Sequence, residues 1–66
     1  MQVVVNGQAR SAGDARSVAE LVRALGLEGK RVAVERNGEI VPKSRYADTP
    51  VATGDRLEIV AAVGGG

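Results

Sequence analysis

The order of apolar and polar residues predicts two β-hairpins, one on each side of a single helix. Residues 3–5 are three β-branched valines, and they lead into Asn6-Gly7, which supplies the positive φ angles of a type I′ turn. A short polar strand over residues 8–11 completes the first hairpin at an exposed part of the sheet. After the helix, Val32 and Val34 begin a second hairpin by strict alternation.

The helix between the hairpins is predicted from both its start and its repeat. Ser17 and Glu20 have the S-x-x-E spacing of a capping box, in which each side chain accepts the other residue's backbone N–H. The apolar residues then follow the spacing of one buried helical stripe: Val18, Leu21, Val22 and Leu25. Gly26 is placed for a left-handed C-terminal cap, with Leu27 folding back on the last turn.

The second hairpin and the last strand have equally clear turn chemistry. Asn37-Gly38 favours a second type I′ turn, and Pro42 ends the following strand because proline cannot donate to a sheet ladder. A connector follows, in which we expect one short helical turn and Tyr46 as the apolar anchor. The turn at residues 53–55 then leads into an alternating strand over residues 56–60.

These elements in this order predict an α+β domain. A mixed sheet of four to five strands crossed by one helix, the ubiquitin-like β-grasp, buries the helix stripe against the inward valines. In that topology the first and last strands are central parallel neighbours. The β-grasp domain is expected to cover residues 1–63, followed by a flexible glycine tail over residues 64–66.

Composition removes most catalytic and metal chemistry. The 66-residue chain has no Cys and no His, which excludes disulfides, thiolate or imidazole metal sites and histidine catalysis. Its net charge is +1 with basic and acidic residues interspersed, and Tyr46 is its one aromatic residue, which disfavours nucleic-acid binding. No apolar run approaches the roughly 20 residues of a membrane span. A cytoplasmic protein without a bound cofactor is therefore expected.

The sequence Val63-Gly64-Gly65-Gly66 is the most suggestive chemical feature. Residues without a Cβ can follow a narrow channel in a partner, and a glycine carboxylate is unhindered at its carbonyl carbon. If a partner activated that carbonyl as an acyl-adenylate, a sulfur or nitrogen nucleophile could attack it. The alternative is a frayed tail or the remnant of a linker.

A second candidate surface lies on the sheet face that the helix does not cover. Alternation along the last strand places Val60 and Ala62 opposite to Leu57 and Ile59, and Val4 is expected on the same outer face. We interpret Val4, Val60 and Ala62 as an apolar patch for docking a partner near the tail. The alternative is a sheet with a few exposed valines and no binding role.

Several motifs in sequence order link the chain to a known family. They are V-x-V-N-G at the start, V-x-x-L-V-x-x-L in the helix, V-E-R-N-G-E-I-V-P over residues 34–42, the Gly54-Asp55 turn, and the V-G-G-G end. With them the chain resembles, over essentially its whole length, the ThiS family of sulfur carrier proteins. These are small ubiquitin-like partners of thiazole formation in thiamin biosynthesis.

The resemblance implies a role as a protein cosubstrate with no catalytic residue or metal of its own. A ThiF-type adenylyltransferase would adenylate the Gly66 carboxylate with ATP, and sulfur from a cysteine desulfurase would convert it to a thiocarboxylate. A ThiG-type thiazole synthase would then accept the sulfur. Gly64 and Gly65 would be the side-chain-free lead into the partner's active site.

Other functions remain open at the level of sequence. A molybdopterin-synthase small subunit would use the same activation but give its sulfur to a pterin precursor. A ubiquitin-like modifier would join Gly66 to a lysine, and a non-catalytic β-grasp interaction module would not use the tail at all. An enzyme with its own active site is disfavoured because no recognisable nucleophile and base arrangement is present.

Overall fold

The structure is a computed structural model that describes residues 1–61. The elements in chain order are β1 (Gln2–Val5), β2 (Gln8–Ser11), α1 (Val18–Ala24), β3 (Val32–Arg36), β4 (Glu39–Val41), a 3₁₀ turn (Lys43–Arg45) and β5 (Arg56–Ala61). The predicted order of elements is confirmed, including the short helical turn in the connector. The predicted domain boundary at residue 63 and the tail over residues 64–66 lie outside the described residues.

The five strands form one mixed sheet in the order β2-β1-β5-β3-β4. β1 and β5 are parallel, with Val4 opposite Arg56 and Val5 opposite Leu57, whereas the other neighbouring pairs are antiparallel. The predicted parallel pairing of the first and last strands is confirmed. The last strand therefore lies in the middle of the sheet, paired on both sides.

Both hairpins turn where the Asn-Gly pairs predict. Asn6 and Gly7 have φ angles of 51° and 82°, and Asn37 and Gly38 have φ angles of 51° and 88°. Asparagine is one of the few residues with a side chain that visit this region readily, which is why it precedes glycine in such turns. These turns fix the register of both outer strand pairs.

The start of α1 differs from the expected reciprocal capping box. Ser17 Oγ accepts the Glu20 N–H at 3.2 Å, as predicted, but Glu20 Oε1 accepts the Arg16 N–H at 2.7 Å instead of the Ser17 N–H. Ser17 itself is extended and forms an isolated β-bridge with Pro50. The carboxylate thus binds a donor one residue further from the helix.

The end of α1 is the predicted glycine cap. Gly26 has a φ angle of 76°, its N–H donates to Arg23 O at 3.0 Å, and the Leu27 N–H donates to Val22 O at 2.9 Å. This pair of bonds is a Schellman motif, and it turns the chain back toward the sheet. The core lies between α1 and the inner face of the sheet, and its fully buried side chains include Val3, Val18, Leu21, Val34 and Leu57.

Candidate functional site

β5 is the element that leads to the glycine tail, and its inner face is firmly anchored. Leu57 and Ile59 are buried, while Arg56, Glu58 and Val60 alternate with them on the outer face. The ladder with β3 continues to the end of the strand, where Ala61 lies opposite Val32. The backbone is therefore held by neighbours up to Ala61.

A side chain from the first hairpin also holds β5. Asn6 Nδ2 donates to Ile59 O at 2.9 Å, and Asn6 Oδ1 accepts the Ile59 N–H at 2.8 Å. Sequence reasoning assigned Asn6 to the turn alone and missed this contact. No local signal could have indicated it, because the partner is 53 residues away.

Four of the predicted site residues lie outside the described residues: Gly64, Gly65, Gly66 and Ala62. Their roles stay predictions.

The two other patch residues share the outer face but are not adjacent. Val4 is half-buried between Ala9 and Arg56, whereas Val60 lies beside Ala33 and is 55% exposed. Val4 lies level with Arg56 in the sheet, and one outer-face position of β5, Glu58, lies between that level and Val60. Docking through these valines stays a prediction, with Val60 the more accessible of the two.

Sequence reasoning missed a further exposed apolar residue on this face. Ile40 is 66% exposed and lies opposite Glu35, in line with Glu58 on the neighbouring strand. The signal was present: Ile40 and Val41 are adjacent in a strand, so one of them must face away from the core.

A cavity of about 400 Å³ lies on the other side of the sheet, beside the start of β3. It is lined by Ala19, Val22, Leu27, Glu28, Gly29, Lys30, Arg31, Val32, Lys43 and Tyr46. The Tyr46 hydroxyl donates a long hydrogen bond of 3.4 Å to Val32 O across one wall. Burial raises the pKa of the Tyr46 hydroxyl above its ordinary value.

At the opposite end of the sheet, the buried carboxylate of Asp55 joins two turns. Asp55 accepts hydrogen bonds from the Ala52 N–H at 2.8 Å, Arg36 Nε at 2.9 Å and Asn37 Nδ2 at 3.2 Å. Burial raises the pKa of Asp55, but these hydrogen bonds and the charge of Arg36 outweigh it and hold that pKa below its usual value. This cluster ties the β3–β4 turn to the turn before β5.

Within residues 1–61 no group of three or more Asp, Glu, His or Cys side chains is arranged to hold a metal ion. The one α-helix in the same range is too short to cross a membrane.

Comparisons with known proteins match nearly the whole chain. The ThiS family model matches residues 3–66. A thiazole synthase of Paramagnetospirillum magneticum is 52% identical over 66 residues, which are 100% of this chain and 20% of that protein. The sulfur carrier protein ThiS of Bacillus subtilis is 43% identical over 53 residues, which are 80% of each chain.

The fold has a counterpart among solved structures. The crystal structure of the thiamine biosynthesis protein ThiS from Geobacter metallireducens superposes with a TM-score of 0.83 at 35% identity, covering 100% of both chains. The chain spans 20% of the length of the thiazole synthase and 80% of the length of the Bacillus carrier. Its sequence and its β-grasp fold both place the chain in the ThiS family.

Proposed function

We propose that the chain is the sulfur carrier for thiazole formation in thiamin biosynthesis, and that Gly66 is the residue modified. The observation that carries this proposal is the ThiS family match, which extends over the last strand and all three glycines. The identity with part of a thiazole synthase supports the same pathway, because a carrier and the enzyme that takes its sulfur act in sequence. The predicted docking of Val4, Val60 and Ala62 on a partner belongs to this proposal.

The proposed chemistry takes place on the tail and is performed by partners. A carboxylate oxygen of Gly66 attacks the α-phosphorus of ATP in a ThiF-type enzyme, and pyrophosphate leaves. A persulfide supplied by a cysteine desulfurase then attacks the acyl carbon with its outer sulfur and displaces AMP, which gives an acyl disulfide. A thiol attacks the inner sulfur of that S–S bond, which forms a new disulfide and releases the thiocarboxylate. In a ThiG-type thiazole synthase the thiocarboxylate sulfur passes to the substrate of that enzyme in exchange for an oxygen atom, which restores the Gly66 carboxylate.

The division of labour between body and tail supports this assignment. Activation requires a carbonyl that a partner can surround closely, and Gly64 and Gly65 carry no side chain to obstruct it. The paired hydrogen bonds of Asn6 and the ladder to β3 hold the strand that leads to the tail. The carrier itself then supplies recognition and no catalytic group. Reaction with ATP favours the cytoplasm as the location.

The test is incubation with a ThiF-type enzyme, ATP and a sulfur source, followed by mass analysis of the C-terminal peptide. Exchange of one oxygen for sulfur at Gly66 is expected, and omission of ATP is the control. Oxidation of Met1 changes the intact mass almost equally, so the change must be located on the peptide. An unmodified terminus with an enzyme that activates a known carrier would contradict the proposal. A ladder of conjugates would indicate a protein modifier instead.

A further inference from the structure

The cavity beside the start of β3 combines an apolar floor with a cationic rim. Ala19 and Val22 of α1, Leu27, Val32 and the Tyr46 ring form the floor. The exposed rim carries two lysines, Lys30 and Lys43, from separate segments of the chain. Its volume of about 400 Å³ lies within the roughly 300–1,000 Å³ range of ligand sites and is enough for a bulky side chain.

The rim has an excess of positive charge. Its one acidic residue, Glu28, is paired with Arg23 at 3.1 Å. Neither Lys30 nor Lys43 makes an ion pair with any other residue of the described part of the chain. A carboxylate of a partner can therefore bind both lysines without breaking an existing ion pair.

The position of the cavity connects it with the tail. Val32 forms part of its wall and is also the residue opposite Ala61, the last position of β5. Anything seated in the cavity therefore lies beside the point at which β5 leads toward the glycines. A position beside the end of β5 is useful to a protein that acts on the tail, whereas it makes no difference to the binding of a small molecule.

We infer that this cavity is a docking site for the adenylating partner, which inserts one bulky apolar side chain flanked by Asp or Glu residues. The apolar side chain fills the floor, and the carboxylates bind Lys30 and Lys43. The inference rests on the proposed function, and it places this contact on the helix side of the sheet. Val4 and Val60 of the predicted apolar patch lie on the other side of the sheet.

The experiment measures adenylation of the full chain by a ThiF-type enzyme, with KM for the carrier and kcat determined separately. Lys30→Glu/Lys43→Glu reverses the rim charge, and Arg10→Glu/Arg16→Glu makes an equal change in net charge away from the cavity. Ala19→Leu fills the floor with a good helix former, and Ala24→Leu is its control on an exposed helix position outside the cavity.

We expect KM to rise about tenfold or more in Lys30→Glu/Lys43→Glu and in Ala19→Leu, with kcat at saturation unchanged, because docking is lost and chemistry is not. Both controls should stay within about twofold of the unaltered chain. Added salt should raise KM of the unaltered chain and change the Lys→Glu variant less.

Two failures can be told apart. If the unaltered chain is adenylated and both cavity variants keep its KM, the docking site is overturned while the carrier function stands. If the unaltered chain is not adenylated by an enzyme that is active on a known carrier, the proposed function fails and the docking inference fails with it.

Discussion

The side-chain amide of Asn6 takes the place of one backbone rung between β1 and β5, at Ile59. The Asn6 N–H already donates to Leu57 O at 2.9 Å, and the amide then binds both backbone groups of Ile59. Parallel pairing of β1 and β5 therefore continues past the residue where β1 turns away. The same residue also has the positive φ angle of the hairpin turn.

Asn6→Ala should lower the free energy of unfolding by about 2–4 kcal/mol. It leaves the Ile59 backbone groups without partners, at about 1–3 kcal/mol, and forces alanine into a left-handed conformation, at about 1 kcal/mol. Asn6→Gly loses the amide but not the turn, so its loss should be smaller by about 1 kcal/mol. Urea denaturation measures both. Equal stability of both variants and the unaltered chain would show that the amide bonds contribute nothing.

Stability should fall in acid because of Asp55. The pKa of Asp55 is lowered by folding, so its contribution is complete above the unfolded pKa of about 3.9 and is lost as the pH falls through the lower folded pKa. Asp55→Asn removes the charge and should cost about 1.5–3 kcal/mol at neutral pH. It should also flatten the acid side of the stability curve.

Asp14→Asn is the matched control for this experiment. Asp14 is exposed, and its side chain makes no hydrogen bond within the described residues. Its replacement should change the free energy of unfolding by no more than about 0.5 kcal/mol. Urea denaturation over a range of pH compares the two variants. An Asp55→Asn curve that follows the unaltered chain would contradict the role of the buried carboxylate.

The sequence was sufficient where structure depends on neighbours in the chain. The two Asn-Gly turns, the Gly26 cap and the alternation in β5 each depend on a few consecutive residues, and all are confirmed. The predicted reciprocal capping at Ser17 was only half right. The Glu20 carboxylate can reach the backbone N–H of either Ser17 or Arg16, and it accepts from Arg16.

Long-range contacts could not be predicted in the same way. Asn6 with Ile59, and Arg36 with Asp55, join segments far apart in the chain, so that periodicity and turn chemistry carry no information about them. The cavity likewise needs α1, the β3 start and the 3₁₀ turn to be placed first. The exposure of Val60 could be predicted from the alternation in β5. Its separation from Val4 could not, because that depends on the register between the strands.

Val60→Asp should weaken binding to a partner more than it weakens the fold. Val60 is 55% exposed, so the carboxylate stays in water, and the cost in stability should be about 1 kcal/mol or less. Binding to a ThiF-type or ThiG-type enzyme, measured by titration calorimetry, should weaken at least several-fold if Val60 is buried by the partner. Val60→Thr keeps the β-branched shape and is the milder comparison.

Val34→Asp is the control for Val60→Asp, because it makes the same kind of substitution on the inner face of the sheet. Val34 is 1% exposed and packs in the core, so a carboxylate there should unfold the chain, as seen by circular dichroism. If Val60→Asp also loses its folded spectrum, Val60 belongs to the core in solution. If it folds and binds partners with unchanged affinity, Val60 is not part of a docking surface.

Gly65→Val should block activation of the tail while the body stays folded. A branched side chain next to Gly66 crowds the acyl carbon and restricts the backbone to conformations that glycine does not need. We expect pyrophosphate release by a ThiF-type enzyme to fall at least about a hundredfold, equivalent to about 2.7 kcal/mol in the barrier.

Urea denaturation of Gly65→Val should give the same midpoint as the unaltered chain. Ala47→Val adds a similar side chain at an exposed position of the connector and should leave the rate unchanged. Adenylation of Gly65→Val at the rate of the unaltered chain would show that the partner does not enclose this residue. The glycines would then have to be explained by a later step, such as sulfur transfer to the thiazole synthase.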